Sequence, residues 1–569
     1  HWQRQNPRGF FGCAGSFVSP RHPWRGVAGT RILYISPIKA LAVDVERNLL
    51  APLAEIAATA DAMGQAALPV TVAVRTGDTS AKLRRTIARG GADILITTPE
   101  SLYLMLTSNA RTALTTVDTV IIDEIHALVP TERGAHLMLS LERLEHLTGR
   151  PLQRIGLSAT QRPLEEVARF LGGTRPVAIA DAQAAKSLQL HIEMPFAAPA
   201  AVEPKGTAAT TTPSAPSNWD HIYPRLLELI DGHRSTLVFV NSRRLAERMA
   251  QALNALAQRT VVYAHHGSVA KDTRADIENQ LKAGTLKGLI ATNTLELGID
   301  MGAIDLVVQV EAAPSVASGL QRIGRAGHQV GATSHGIVMP KFRGDIIACA
   351  TLVQAMRNGD IESIRYLRNP LDVLAQQLVA MVAIEPWHVD DLYRAATASA
   401  PFAELPRSHF DATIDMLTGF YAIEELADAR PRMTLDRTTG MLHARDGAKR
   451  VAIANAGTIP DRGLYAVYLA NAAAGKGRIG ELDEEMVFES KVGDRFMLGA
   501  STWRIEEITF DRVIVTPAPG EPGRMPFWRG ENAMRPIEFG QRMGATLGLL
   551  DGLATDAALT YARTSLRLD

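Results

Sequence analysis

The feature that most constrains this fold is a repeated alternation of short apolar runs with longer helical patterns. Two arrays of such runs, rich in Ile, Leu and Val, occupy most of the first two thirds of the 569 residues. The first array is Arg31–Ser36, Val70–Thr76, Asp93–Thr97, Val120–Ile122 and Ile155–Leu157, and the second is Thr236–Val240, Val261–His265, Gly288–Ala291, Leu306–Val310 and Gly336–Met339. Such runs between helices are typical of parallel sheets buried on both faces. The pattern predicts an α/β protein with two parallel-sheet lobes.

Composition and charge narrow the class of protein. A hydrophobic content of 46% with 21% charged residues is ordinary globular usage. The net charge of zero argues against a broad electrostatic nucleic-acid binder, but it leaves room for a local basic channel. Of the two cysteines, Cys13 lies in an atypical N-terminal segment, which leaves Cys349 alone and predicts neither disulfides nor a zinc cluster. Without a membrane-spanning stretch or signal peptide, we expect a cytoplasmic enzyme.

Three short motifs, in a fixed order, indicate the chemistry. They are Asp123-Glu-Ile-His126, Ser158-Ala-Thr160 and Gln321-Arg-Ile-Gly-Arg-Ala-Gly-His328. Each is weak alone, but their order and spacing resemble the nucleic-acid-dependent ATPases of helicase superfamily 2. The resemblance implies two RecA-like lobes that bind ATP and Mg²⁺ in the cleft between them, at the carboxyl ends of the strands. One part is missing, because no G-x-x-x-x-G-K-[ST] phosphate loop occurs in the sequence.

The resemblance assigns catalytic roles to the first two motifs. Asp123 would hold Mg²⁺, and Glu124 would orient and deprotonate the attacking water. His126 would couple the nucleotide site to the second lobe. Ser158 and Thr160 would link hydrolysis to lobe movement. Taken without the other motifs, two carboxylates after a strand would be ordinary surface groups.

The third motif would supply positive charge from the second lobe. Arg322 and Arg325 are about one helical turn apart, so we expect them on one face, within reach of the γ-phosphate. Gln321 would assist them, and the alternative is a solvated basic face. Gly298 and Asp300 match a motif that touches both nucleotide and nucleic acid.

A further set of residues at loop positions is predicted to contact the nucleic-acid backbone. Hydroxyl, lysine and arginine side chains suit phosphate contacts, which hold a strand without reading its sequence. The predicted residues are Ser36, Lys39, Thr76 and Thr98 on the first lobe and Arg243 and Thr292 on the second. Each could equally be a helix cap or turn former.

Longer motifs narrow the resemblance to the Lhr family, the large helicase-related proteins. They are the run from Arg31 to Arg47, Arg133-Gly-Ala-His-Leu137, and a third motif that ends in His328 instead of Arg. The resemblance extends from about residue 27 to the C terminus. It implies a 3′-to-5′ translocase on single-stranded DNA that unwinds DNA and RNA:DNA duplexes with a 3′ tail, with a link to DNA repair.

The first residues suggest why the phosphate loop is missing. When the codons of residues 1–17 are shifted by one base, codon degeneracy permits Thr-Gly-Ser-Gly-Lys-Thr-Leu-Ala-Ala, a helicase phosphate loop. This reading is a hypothesis, because most residues are encoded by several codons and each shifted codon can therefore encode several residues. We interpret residues 1–26 as an aberrant, out-of-frame N terminus and expect the ATPase of the chain as written to be inactive. The alternative is a catalytically silent nucleic-acid-binding protein, or a pseudogene product, with a helicase fold.

Changes in composition and in hydrophobic periodicity divide the rest of the chain, from residue 27 onward, into predicted domains. The predicted domains are an incomplete first lobe at 27–190, a flexible insertion at 191–220, a second lobe at 221–356, a winged helix at 357–440 and the β-barrel-like, truncated start of a fourth domain at 441–569. A β pattern, including a strand at Val451–Ile453, is expected in the last of these. Trp528 could stack on a base or be a core aromatic. Ile459 could wedge between bases or pack ordinarily.

Overall fold

The structure is a computed structural model, and part of the chain is described by it. The described residues are 29–63, 70–159, 161–181, 187–195, 218–297, 304–327, 333–420, 430–459, 463–470, 477–499, 501–509, 511–528, 534–566 and 568. The chain divides into two compact units, residues 1–182 with 363–460 and residues 183–362 with 461–569. The predicted out-of-frame segment and most of the predicted insertion lie outside the described residues. In the ranges given above, no helix has the length and apolar character needed to cross a membrane.

The first unit contains a parallel sheet with the strand order β2-β3-β1-β4-β5. Its strands are β1 (Ile32–Ile35), β2 (Val72–Arg75), β3 (Ile94–Thr97), β4 (Thr119–Ile122) and β5 (Gln153–Gly156). The helices around it are α1 (Lys39–Ala62), α2 (Ala81–Gly90), α3 (Pro99–Leu106), α4 (Glu132–Thr148) and α5 (Leu164–Gly172). Successive strand residues face opposite sides, so Leu33 and Ile35 enter one core while Ile32 and Tyr34 enter another. The three central strands of the sheet are therefore buried on both faces, whereas the edge strands β2 and β5 are partly exposed.

The second unit contains a parallel sheet with the strand order β6-β11-β10-β7-β9-β8. Its strands are β6 (Leu188–Ile192), β7 (Thr236–Phe239), β8 (Val262–His265), β9 (Gly288–Ala291), β10 (Leu306–Val310) and β11 (Ser334–Met339). The helices of this lobe are α6 (Trp219–Gly232), α7 (Arg243–Ala257), α8 (Lys271–Lys282), α9 (Val316–Ile323) and α10 (Ile346–Asn358). The two RecA-like lobes predicted from the apolar runs are confirmed.

Strand β6 was assigned to the wrong lobe by the sequence pattern. The prediction ended the first lobe at residue 190, whereas β6 pairs with β11 of the second sheet, with Leu188 opposite Ser334. Only Leu190 of this edge strand is buried. A single buried position is too short a periodic signal to assign a strand to a lobe.

After the second lobe the chain returns to the first unit and forms a winged-helix domain. Its helices are α11 (Leu371–Val382), α12 (Val389–Thr397), α13 (Arg407–Thr418) and α14 (Ala448–Ala454), and its antiparallel strands are β12 (Trp387–His388), β13 (Met433–Asp436) and β14 (Met441–Ala444), in the order β12-β14-β13. The predicted boundary at residue 440 therefore cuts this sheet before its central strand. The predicted strand at Val451–Ile453 is wrong, because these residues lie in α14. Ala448 and Ala452, four residues apart, enter the same core, which is a helical period.

Buried polar groups fix the winged-helix domain to the first lobe within this unit. The Arg143 guanidinium of α4 donates to Gln377 Oε1 at 2.8 Å and to Thr107 Oγ1 at 3.0 Å. Gln377 Nε2 in turn donates to the His136 carbonyl at 3.0 Å. Unpaired buried polar groups cost about 1–3 kcal/mol each, so this matched set favours one packing of the two elements.

The C-terminal part of the second unit is a mixed five-stranded sheet of half-barrel form. Its strands are β15 (Leu464–Leu469), β16 (Arg478–Asp483), β17 (Arg495–Leu498), β18 (Ser501–Ile508) and β19 (Arg512–Pro517), in the order β16-β15-β19-β18-β17. Helices α15 (Glu484–Phe488), α16 (Ile537–Asp551) and α17 (Thr555–Thr564) accompany it. Short 3-10 helices occur at Asn109–Leu114, Ile125–Ala127, Asn293–Leu295, Arg343–Asp345 and Ala400–Phe402. The predicted winged helix and β-barrel-like region are thus both confirmed as folds.

Candidate nucleotide and nucleic-acid site

The two predicted catalytic carboxylates directly follow β4. Asp123 is only 6% exposed, and its Oδ1 accepts a hydrogen bond from the Glu124 N–H at 3.0 Å. Glu124 has a backbone φ of 44°, a left-handed conformation that costs a non-glycine residue roughly 1–3 kcal/mol. Burial, and after it the charge of Glu124, raises the pKa of Asp123 to about 7. A buried carboxylate with a raised pKa beside a second acid is suited to a site that receives a cation.

His126 joins the first motif to the second. Its ring is buried, and its Nδ1 lies 3.5 Å from Glu124 Oε2 and 3.3 Å from Ser158 Oγ. The Ala159 N–H donates to the same Nδ1 at 3.3 Å. An accepting Nδ1 places the ring proton on Nε2 in the neutral imidazole. This contact supports the predicted coupling by His126 and Ser158, which stays a prediction. Thr160 lies outside the described residues.

Arg322 makes its observed contacts inside the second lobe. It is 2% exposed, lies in α9 and forms an ion pair with Glu296 at 2.6 Å. Its Nη1 also donates to Asn241 Oδ1 at 2.8 Å and to Gln309 Oε1 at 3.0 Å. A guanidinium with this many internal partners helps to hold the second lobe together. The structure therefore adds a positioning role for Arg322, and its predicted finger role stays a prediction.

Replacing Arg322 with alanine is expected to lower the free energy of unfolding by about 3–5 kcal/mol, because Glu296 would lose its partner in a buried setting. The double variant Arg322→Gln with Glu296→Gln removes both charges and should recover part of that loss. Chemical denaturation of the three proteins measures the difference. An Arg322→Ala protein with parental stability would contradict this assignment.

Arg325 is the second arginine predicted to act on the nucleotide. Helix α9 ends at Ile323, so Arg325 follows the helix and does not share a helical face with Arg322. It is half-buried, and its Nη2 donates to the Glu296 carbonyl at 2.7 Å. Gln321 is half-buried in the last turn of α9. The predicted residues Gly298 and Asp300 lie outside the described residues.

The predicted strand contacts on the first lobe lie at strand ends, but the three hydroxyls are buried. Ser36 is 0% exposed and its Oγ donates to the Ile38 carbonyl at 3.0 Å. Thr76 and Thr98 are also buried, and Thr98 precedes the first residue of α3. The hydroxyls of Ser36 and Thr76 make local turn contacts, whereas Thr98 makes no capping side-chain hydrogen bond. Direct phosphate contact by the three side chains stays a prediction. The fourth predicted residue, Lys39, differs from the three hydroxyl residues because its ammonium group is exposed. Its Nζ forms an ion pair with Asp78 at 2.8 Å.

On the second lobe Arg243 and Thr292 also lie after strands. Arg243 begins α7, and its Nη1 donates to Ser268 Oγ at 2.7 Å. Thr292 is buried, and its contact with the strand stays a prediction. His265 and His266 pair with glutamates, at 3.0 Å to Glu278 and 2.9 Å to Glu247. Within the ranges that the structure describes, no cluster of three or more His, Cys, Asp or Glu suited to a metal is found.

Comparisons with known proteins agree with this arrangement. Three family models match: DEAD/DEAH box helicase at residues 19–168, helicase conserved C-terminal domain at 221–329, and large helicase-related protein, winged helix domain, at 354–525. The "Lhr helicase/ probable uracil glycosylase" of Mycolicibacterium smegmatis is 51% identical over 92% of this chain. The "ATP-dependent helicase Lhr-Core" of Methanothermobacter thermautotrophicus is 36% identical over 89% of it. This chain belongs to the Lhr family.

A solved Lhr structure covers almost the whole of this chain. The Mycobacterium smegmatis helicase Lhr bound to ssDNA and AMP-PNP matches with a TM-score of 0.77 and 46% identity over 98% of the chain. The match covers 66% of that structure, 36% of the M. smegmatis Lhr relative and 58% of the archaeal Lhr-Core relative. The chain thus spans about a third to two thirds of the Lhr proteins it resembles.

Trp528, for which the sequence leaves both base stacking and core packing open, is buried in this chain. It is 7% exposed and packs with the apolar residues of the C-terminal sheet. The Arg243 guanidinium lies 5.6 Å from its ring centroid, and the His266 ring meets it edge-on at 5.5 Å. This burial fits the alternative of a core aromatic, and the stacking role of Trp528 stays a prediction. Ile459, by contrast, is 70% exposed, so the wedge prediction stays open.

Replacing Trp528 with alanine is expected to cost about 3–5 kcal/mol of stability, as deletion of a core tryptophan does. Affinity for single-stranded DNA, measured below the thermal midpoint, should stay near the parental value. Trp528→Phe is the matched control, because it keeps an aromatic ring in the core. If Trp528→Ala instead binds DNA about 1–3 kcal/mol more weakly at an unchanged midpoint, the stacking role is restored.

The sequence analysis did not predict the residues that bind Arg322 inside the second lobe. Asn241 lies two residues before the predicted strand contact Arg243, Glu296 lies two residues before the predicted residue Gly298, and Gln309 lies within β10. A polar residue in the middle of an apolar strand was the available signal for Gln309, because buried polar groups require a partner.

Proposed function

We propose that this chain is the ATP-dependent motor of a DNA helicase that tracks single-stranded DNA in the 3′-to-5′ direction and unwinds DNA and RNA:DNA duplexes with a 3′ tail. The observation that carries the proposal is the 46% identity, over 98% of the chain, to an Lhr structure bound to ssDNA and AMP-PNP. Relatives named ATP-dependent helicase Lhr-Core support the use of ATP. A role in DNA repair and a cytoplasmic location belong to the same proposal.

Hydrolysis would be performed by the groups after β4. Asp123 would hold Mg²⁺, since a hard cation prefers carboxylate oxygen and would offset the burial that raises the pKa of this group. The bound cation would neutralise charge that develops on the phosphates. Glu124, held beside it by the left-handed backbone, would accept the proton of the attacking water. Arg325 would supply positive charge from the second lobe, and Gln321 would assist.

The absence of a phosphate-loop sequence lowers the ATPase activity that we propose for the chain as written. No G-x-x-x-x-G-K-[ST] run is present, so the chain as written lacks the N–H nest and the lysine that hold the β- and γ-phosphates. We therefore infer that it binds ATP poorly and turns it over slowly. The second candidate function, a silent nucleic-acid-binding protein with a helicase fold, rests on the same absence.

Two measurements on the purified full chain test the proposal. A labelled single-stranded oligonucleotide should bind without nucleotide, and its affinity should fall as salt rises, because phosphate contacts release counterions. Phosphate release from ATP, with Mg²⁺ and the same oligonucleotide, should stay close to background. Absence of DNA binding would overturn the proposed function. Turnover at an ordinary helicase rate would overturn the inference about the missing loop.

A further inference from the structure

The motif Arg133-Gly-Ala-His-Leu137 lies at the start of helix α4, and its arginine reaches two other segments of the first lobe. The Arg133 Nε donates to Glu100 Oε1 at 2.7 Å, and Nη2 of the same guanidinium donates to the Pro37 carbonyl at 2.9 Å. Pro37 lies in the segment after β1, and Glu100 lies in the first turn of α3, which follows β3. One side chain therefore joins the segments that follow two neighbouring strands of the sheet.

These two segments carry predicted strand contacts of the first lobe. The first segment contains Ser36 and Lys39, and the second begins with Thr98. The Ser36 N–H donates to the Thr97 carbonyl at 2.9 Å, which continues the pairing of β1 with β3. Arg133 adds a link from a third element, helix α4, so the spacing of the two segments depends on more than the sheet.

The start of α4 is held in the place that the Arg133 contacts require. A Cβ atom at Gly134 would lie 2.0 Å from the Leu128 carbonyl oxygen, so any larger residue would displace the first turn of the helix. The His136 ring packs against the Tyr103 ring of α3, with 4.8 Å between the ring centroids. Helices α3 and α4 are thus packed on each other beside the pair that joins them.

The pair of Arg133 and Glu100 is too exposed to add much stability. Their side chains are 38% and 35% exposed, and ion pairs at the surface contribute little to the free energy of unfolding. Partial burial raises the pKa of Glu100, but the hydrogen bond and charge of Arg133 outweigh it and hold that pKa below its usual range. Glu100 is therefore ionised at neutral pH. A carboxylate in a segment predicted to bind a strand repels phosphate, so direct binding does not account for it.

We propose that Arg133 is a positioning residue, which holds the segments after β1 and β3 at the spacing that lets both bind phosphates of one strand. The inference rests on the proposed function, because it takes strand binding by the first lobe as given. A planar guanidinium bonds two partners in fixed directions, whereas the compact ammonium group of lysine cannot span them. Arg133 thus acts through Pro37 and Glu100, and the phosphates are bound by other groups.

Binding of a labelled oligothymidine to the full chain, without nucleotide, tests the proposal. Arg133→Lys keeps the charge but loses the two-point contact. It should raise Kd about tenfold, within the range for residues that share one hydrogen-bonded network. Arg169→Lys is the matched control, because Arg169 is an exposed arginine of the same unit that pairs with Glu166, and it should keep the parental Kd. Each Kd is measured well below the thermal midpoint of that variant.

Removal of the carboxylate is a test in which two explanations predict opposite signs. Glu100→Ala deletes a negative charge, which by electrostatics alone would tighten DNA binding. The positioning role predicts weaker binding, by about the same factor as Arg133→Lys. The double variant should bind about as well as either single variant, because both changes break one contact. Glu165→Ala, which removes an exposed carboxylate from the first turn of α5, is the control and should not weaken binding.

The outcomes separate this inference from the proposed function. If the parental chain does not bind the oligonucleotide, the proposed function is overturned and the inference with it. If the parental chain binds, but Arg133→Lys binds equally well or Glu100→Ala binds more tightly, only the positioning role is overturned. A lowered thermal midpoint with unchanged DNA affinity in both variants would assign the pair to stability and would also reject the positioning role.

Discussion

Replacing residues 1–6 with Thr-Gly-Ser-Gly-Lys-Thr is expected to raise DNA-stimulated ATP hydrolysis by at least about a hundredfold. The restored loop would place backbone N–H groups and a lysine on the β- and γ-phosphates. Loss of a single preorganised donor typically costs about 10²–10³ in kcat, so return of the whole clamp should exceed that. Phosphate release, with Mg²⁺ and with or without single-stranded DNA, measures the change.

A matched control keeps the restored glycines and changes the lysine alone. The loop Thr-Gly-Ser-Gly-Ala-Thr should return most of the way to the low rate of the chain as written. Equal turnover in the chain as written and in the restored chain would contradict the account of the missing loop. It would mean that other residues hold the phosphates.

In the restored chain, Glu124→Gln is expected to reduce turnover by about 10²–10⁴-fold, the usual contribution of a general base. Nucleotide binding should be retained, because Asp123 is unchanged and glutamine preserves the shape of the side chain. Single-turnover phosphate release and binding of a fluorescent ATP analogue separate the two effects. Glu165→Gln, an exposed carboxylate of the same unit, should leave the rate unchanged. Parental turnover in Glu124→Gln would show that another group activates the water.

Secondary structure was predicted most accurately from the sequence for strands that are buried on both faces. All five runs of each array correspond to strands. For fully buried strands such as β1, β3 and β4 the reason is that a parallel strand covered on both faces must be apolar throughout. The predicted lobe boundary at residue 190 falls inside β6, whose alternating polar residues Gln189 and His191 leave no continuous apolar run to mark it as a strand. Part of the helix at Ala448–Ala454 was predicted as a strand, because a short apolar run fits the period of a strand as well as that of a helix. Only the buried pair Ala448 and Ala452, four residues apart, indicates the helix.

The candidate site was predicted in its location but not in its internal contacts. Asp123, Glu124 and His126 lie where the motif places them, since a strand followed by a tight turn fixes their positions. Whether an arginine faces solvent or is buried depends on partners far away in the chain. Arg322 meets Asn241, 81 positions earlier, and nothing local signals that contact. Trp528 is similar, because its burial depends on the distant residues Arg243 and His266.

Strand displacement by the restored chain tests the central claim, an ATP-dependent DNA motor, most directly. The substrates are one duplex with a 3′ single-stranded tail and the same duplex with a 5′ tail, each carrying a fluorophore–quencher pair. The account predicts ATP- and Mg²⁺-dependent separation of the 3′-tailed duplex, little separation of the 5′-tailed one, and none of either with Glu124→Gln. DNA-stimulated ATP hydrolysis without separation of either duplex, or separation that does not require ATP, would contradict it.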